Sequence, residues 1–223
     1  MSALGGDGED DAYPNKLSTG IEILDNPEYL QGGFPKGSVV TIMANPIATA
    51  ELFMYDLATV RRTSYFTTAR SAETVQMNLD TLGRSPGEFD VVDLFSADDV
   101  FDALMTGLED VGREENIIVD TVSDLVNHDR FEDMLDVIYR VSHETDSVTY
   151  FYMIKEDGET MTFEESRIPH LSDVVMRMIT GIEGEKVENR LAISKIRGQT
   201  PPEKTIKLNI GEEIVVDTSR DIA

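Results

Sequence analysis

Ligands of an open α/β sheet bind beyond the carboxyl ends of its strands. In this chain the first such place is residues 44–51, Ala-Asn-Pro-Ile-Ala-Thr-Ala-Glu, between an apolar run at 38–43 and a helical pattern. Thr49 offers a hydroxyl, Ala50 no cation, and Glu51 a carboxylate. Taken alone, the segment reads as a strand-to-helix loop with Thr49 as N-cap and Glu51 favourable in the first turn. Asp120 closes a second apolar run, Asn-Ile-Ile-Val-Asp at 116–120. Taken alone, such an Asp is common wherever a strand passes into a βα loop. Asp124, His128 and Asp129 follow, and read as a solvated loop. Lys195 and Arg197 alternate along a predicted strand, so both cations share one face, where they either clamp an anion or pair with carboxylates. His143 and His170 have no second ligand at metal spacing. The absence of cysteine excludes disulfides, thiolate metal sites and a cysteine nucleophile. Met153, Met176 and Met178 lie on apolar faces and predict core filling.

The elements that must position these residues alternate in period. Strand patterns at 38–43, 63–68, 89–94, 115–120 and 148–154 are separated by helical patterns at 51–62, 74–82, 97–111 and 131–142. Ser96 is the predicted N-cap of the third helix, and Gly83 ends the second. A short amphipathic stretch at 17–25 and the turn residues at 32–37 precede the first core strand. After 154 the pattern shortens to strands at 171–178, 190–195, 205–209 and 214–217, expected to pair as hairpins. Strands that alternate with helices predict βαβ units around a mostly parallel sheet. Residues 1–15 are rich in Gly and Asp and read as an acidic flexible tail, leaving one domain over 16–223.

The charge balance sets limits on partners. Against 43 Asp and Glu stand 19 Lys and Arg, a formal net charge of -24. A field of that sign opposes nucleic acid and anionic membranes, whose binding needs cations to neutralise phosphates. Acidic residues are spread along the chain, which resembles proteins adapted to a high-salt cytoplasm, as in a halophilic archaeon. No apolar run approaches the ~20 residues of a membrane span, and the N-terminus has no signal-peptide pattern, so a cytoplasmic protein is expected.

With the elements in place, the segments Leu17-Ser-Thr-Gly-Ile-x-x-Leu-Asp25 and Gly32-Gly-Phe-Pro-x-Gly-Ser-Val-Val40 resemble the entry to a KaiC/RadA-type RecA-superfamily ATPase domain. The resemblance continues through Tyr65-Phe-Thr-Thr-Ala-Arg-Ser71, the run ending at Asp120, and Ser194-Lys-Ile-Arg-Gly198, and spans about residues 16 to 217. It implies a RecA-like fold: a mostly parallel sheet flanked by helices, with antiparallel C-terminal strands. It also implies a P-loop of pattern G-x-x-x-x-G-K-[ST]. Here Ala44 and Thr49 stand at the two glycines, Ala50 at the lysine and Glu51 at the hydroxyl. Backbone amides of such a loop wrap phosphate and its lysine neutralises charge, whereas Glu51 brings repulsion of about 1–4 kcal/mol per unit charge at 4 Å. The family's water-activating Glu pair is replaced by Ala69-Arg70, which supplies no acceptor to orient water. Asp120 matches the Walker B carboxylate. Lys195, Arg197 and Gly198 match a K-x-R-G segment that relatives place between subunits.

The expected function is therefore a non-catalytic pseudo-ATPase without cofactor or metal, acting as a regulatory or scaffold protein through a protein partner or an oligomer of RecA-like subunits. Its alternatives are an accessory DNA-recombination factor similar to RadA paralogues and an ATPase with an atypical loop. The charge generates a first prediction. Carboxylate repulsion is screened as the Debye length falls to about 3 Å at 1 M salt, so the melting midpoint should rise across a KCl series. A midpoint that stays flat from dilute buffer to molar KCl would contradict the high-salt reading.

Overall fold

The computed structural model describes residues 14–83, 87–156, 158–183, 186–210 and 214–216. All but the last two residues of the expected tail, and Asp217 at the end of the last expected strand, lie outside that set.

The chain enters through β1 (Lys16–Leu17), paired antiparallel with β2 (Phe34–Pro35), and one turn of helix, α1 (Glu22–Asp25), lies between them. Asp25 shapes this entry: its carboxylate accepts from the Thr19 amide at 3.0 Å and the Ser18 hydroxyl at 2.6 Å. Gly33 has φ of 114°, and a Cβ there would stand 2.0 Å from the Leu17 carbonyl oxygen, so glycine is required where the two strands cross.

The core sheet then forms from β3 (Val39–Ala44), β4 (Thr63–Thr67), β5 (Phe89–Asp93), β6 (Asn116–Asp120), β7 (Val148–Ile154), β8 (Val174–Glu183), β9 (Lys186–Ile196), β10 (Ile206–Ile210) and β11 (Ile214–Val216). Their order is β11-β10-β9-β8-β3-β7-β6-β4-β5. From β8 to β5 every pairing is parallel, and from β8 to β11 every pairing is antiparallel. Val40, Ile42 and Ala44 enter one apolar cluster with helices α2 (Ala50–Leu57) and α3 (Ala72–Thr81). Val39 and Met43 enter the other, with α4 (Val100–Glu109), α5 (Phe131–Glu144) and α6 (Phe163–Leu171). This period of two, with both faces buried, explains why the parallel strands read as near-continuous apolar runs. Met153, Met176 and Met178 fill the core as expected. None of the described helices is long and apolar enough to cross a membrane.

The fold class is as the sequence implied, with corrections. Helix α4 starts three residues later than expected, and Asp99, not Ser96, caps it by accepting from the Asp102 amide. Ser96 instead donates its amide to Asp93 at 2.8 Å. The expected strand at 171–178 conceals a boundary. Leu171 ends α6, a helix absent from the periodicity because its apolar face is weak and Pro169 lies within it. Its start was written in the sequence: Thr162 and Glu165 form a reciprocal capping box. The strands that follow are not short, since β8 and β9 are a long hairpin whose first strand also pairs parallel with β3.

Candidate functional site

The carboxyl ends of β3, β4, β6 and β7 converge where a ligand would lie. Asp120, last residue of β6, falls on the same sheet face as Tyr65, Tyr152 and helix α2 by strand alternation, and is fully buried. Burying a lone carboxylate is prohibitive, so its partners matter. The Arg70 guanidinium, on the loop after β4, places Nη2 2.6 Å from Asp120 Oδ2, and the Tyr65 hydroxyl donates to the same oxygen. The other atoms of the pair, Arg70 Nε and Asp120 Oδ1, are buried without a hydrogen-bond partner.

Protonation in this pocket follows from burial and charge. Burial works to lower the Arg70 pKa, but the Asp120 charge, Tyr55, Tyr65 and the hydrogen bond to Asp120 together outweigh it and hold the guanidinium above its already high ordinary value. Burial first, then the Asp120 charge, push the Tyr65 hydroxyl well up, so it remains a donor. Tyr152 is pushed up to about 12 by burial and by the Glu51 and Asp120 charges, and burial raises Tyr55. The site thus holds an ion pair beside phenols that burial keeps protonated.

The loop carrying Arg70 is tied down on all sides. The Thr67 hydroxyl donates to the Arg70 carbonyl at 2.8 Å, and the Thr68 amide donates to the Asp120 carbonyl at 2.7 Å. The Thr68 hydroxyl bridges the Thr121 carbonyl and the Asp124 carboxylate, which gives Asp124 a structural role in the 3₁₀ turn Val122–Asp124. Asp93, at the end of β5, accepts from the amides of Ala72 and Ser96. Burial raises its pKa, but those backbone donors prevail and hold it below the ordinary carboxylate value.

Across from this loop, the 44–51 segment closes on itself. The Ala48 amide donates to the Asn45 carbonyl at 2.8 Å and the Ile47 amide to Asn45 Oδ1 at 3.1 Å, so two amides of the turn face inward. Thr49 occupies the N-cap position of α2 as expected, but its hydroxyl makes no capping bond. Ala50 is buried, Ala69 is exposed, and Glu51 sits in the first helical turn. Residues 44–51, 69–70 and 120 therefore do meet at one edge. Three observations bear on Mg²⁺ and a polyphosphate here: one Asp120 oxygen is held by a guanidinium, the Ile47 and Ala48 amides are bonded within the turn, and Glu51 adds negative charge. Among the described residues no group of three or more His, Asp or Glu side chains is arranged to hold a metal ion.

Sequence reasoning missed the three tyrosines and Lys155. The Lys155 side chain is 5% exposed and bonds Glu165 of α6 at 2.9 Å, with Glu159 at 3.6 Å, and its amide extends the β3–β7 edge by donating to the Ala44 carbonyl. The alternation of Tyr65 with Phe66, and of Tyr150 and Tyr152 with Phe151, marks which residues face α2 and was a usable signal.

Residues 16–223 match the model of a family described as a family of unknown function, DUF7125. The chain belongs to that family. No curated protein matches the sequence. Among solved structures, this DUF7125 chain is similar to the KaiC-like protein PH0186 from the hyperthermophilic archaeon Pyrococcus horikoshii OT3, with a TM-score of 0.74 at 16% identity over 91% of this chain and 98% of that one. The likeness shows that the two chains share a fold.

Lys195 and Arg197 stand apart from that edge, at the other end of α6. Lys195 Nζ donates to the carbonyls of Pro169 and His170 at 2.9 and 2.8 Å. Arg197 donates to the Leu171 carbonyl and to Asp173 Oδ1 at 2.6 Å. They share one face as predicted: Arg197 pairs with a carboxylate, one of the two expected modes, whereas Lys195 bonds the carbonyls of a helix C-terminus, which neither mode included. Reversing both, Lys195→Glu with Arg197→Glu, should lower stability by about 1–3 kcal/mol through lost charge-assisted bonds and repulsion from the carbonyls. Urea unfolding checks this, and an unchanged midpoint would mean that α6 does not depend on them.

Proposed function

We propose that this DUF7125 chain is a non-catalytic member of the RecA/KaiC-like fold that works by binding another protein. The observation that carries the reading is the Arg70–Asp120 ion pair: a fixed guanidinium stands on the one buried carboxylate that a metal–nucleotide complex would need. Glu51 and the inward-turned amides of the 44–51 loop support it. A working ATPase would have to displace the guanidinium and leave it uncompensated, with its Nε already without a partner. A DNA-recombination role would have to overcome a net charge of -24. The exposed part of Arg197, whose side chain is 57% accessible, remains open to a subunit contact beyond its bond to Asp173.

Calorimetric titration with ATP and Mg²⁺ in molar KCl tests the reading. The expected result is no heat above dilution and no phosphate release above a buffer blank. A micromolar dissociation constant accompanied by turnover would overturn it.

A further inference from the structure

Apolar surface gathers on the edge that carries the candidate site. Eight large hydrophobic residues are exposed among the described residues, and six of them belong to this edge. Ile47, 76% exposed, is in the loop after β3; Phe95 follows β5; Phe163, 73% exposed, opens α6 after β7. The remaining three, Ile179, Ile182 and Val187, sit on the β8–β9 hairpin. Because β8 runs parallel to β3 with Met178 opposite Ala44, its last five residues project past the end of the neighbouring strand, by roughly 15 Å at about 3.3 Å per residue. Ile182 and Val187 are cross-strand partners near that tip, 82% and 67% exposed. Beside them Gly181, where an added Cβ would meet nothing within 4 Å, floors a groove of about 280 Å³ walled by Ile179, Ile182 and the Glu188–Arg190 ion pair. The two exceptions, Val60 and Met77, lie on the α2–β4 connection and on α3.

Carboxylates outnumber cations around this surface, where Arg190 of the groove is bonded to Glu188. Asp98, Asp99, Asp124, Glu156, Glu159 and Glu164 are exposed in the loops and helix start that follow β5, β6 and β7. The neighbouring cations are committed within the chain, Arg70 to Asp120 and Lys155 to Glu165 and Glu159, although Arg177 of β8 is exposed. An apolar patch framed by carboxylates repels its own copy and complements the opposite charge.

We propose that this edge docks a segment of another protein in which apolar anchors are flanked by Lys and Arg side chains. The proposal rests on the non-catalytic reading of the same site. Ile47, Phe163, Ile182 and Val187 contact the anchors, and the acidic loops contact the flanking cations. A second copy of this chain is disfavoured by the charge it would bring to the same surface.

The probe is a labelled synthetic peptide with Leu and Lys at amphipathic helical spacing, compared by anisotropy with a scrambled peptide of the same composition across a KCl series. The intact chain should bind the amphipathic peptide about tenfold more tightly than the scrambled one, a difference of about 1.4 kcal/mol. Two variants, Ile47→Asp with Phe163→Asp and Ile182→Asp with Val187→Asp, should each weaken binding about tenfold, although they make the protein more acidic. Met77→Asp should leave it unchanged. Because all five positions are exposed, unchanged melting midpoints will show that folding is intact. Equal binding of the two peptides, tighter binding by the acidic variants, or no binding would overturn the proposal. ATP titration of the same samples separates the two readings: ATP binding overturns the non-catalytic reading, whereas failure of peptide binding without ATP binding overturns the docking surface alone.

Discussion

A carboxylate at the end of a buried strand must be given a counter-charge, a proton, or a route to water. In this fold the strand β6 ends at the centre of the sheet, between β7 and β4, and its terminal Asp120 has no route to water. The Arg70 guanidinium resolves the problem from within the chain. The desolvation of two such charges cancels much of their attraction, so the pair adds little stability relative to an apolar substitute, yet removing one partner is severe. The pair is therefore a commitment of architecture: once the guanidinium is built in, the surroundings must keep it there.

The surroundings do so. Thr67 and Thr68 anchor the backbone of the Arg70 loop, Asp93 ties its far end to the loop after β5, and Tyr65 supplies a second donor to the carboxylate. In the 44–51 loop the Ile47 and Ala48 amides turn onto Asn45. The carboxyl edge carries exposed Ile47, Phe95 and Phe163 beside the projecting hairpin.

Much of this was legible in the sequence, and the exceptions are instructive. Parallel strands buried on both faces announce themselves as apolar runs, and the expected 148–154 strand coincides with β7. Helix α6 escaped because capping, not periodicity, defines it. At the site, the residue types at 44–51 and 69–70 departed from the pattern of the resembled family, but did not show that Arg70 would meet Asp120. That Arg70 reaches Asp120 depends on a contact across fifty residues, set by the adjacency of β4 and β6. Lys195 and Arg197 show the same limit: alternation placed them on one face, but only the position of α6 reveals what that face covers.

The claim on which the rest depends is that Arg70 is the counter-charge of Asp120, and a double-mutant cycle measures it directly. Arg70→Met and Asp120→Asn, singly and together, are compared with the intact chain by urea unfolding in molar KCl. The single change Arg70→Met should cost about 3–5 kcal/mol by stranding a buried charge. The double variant should be no worse than that single change, leaving a coupling energy of about 2 kcal/mol or more. Additive effects, with coupling within about 0.5 kcal/mol of zero, would show that the two groups do not depend on each other and would contradict the account.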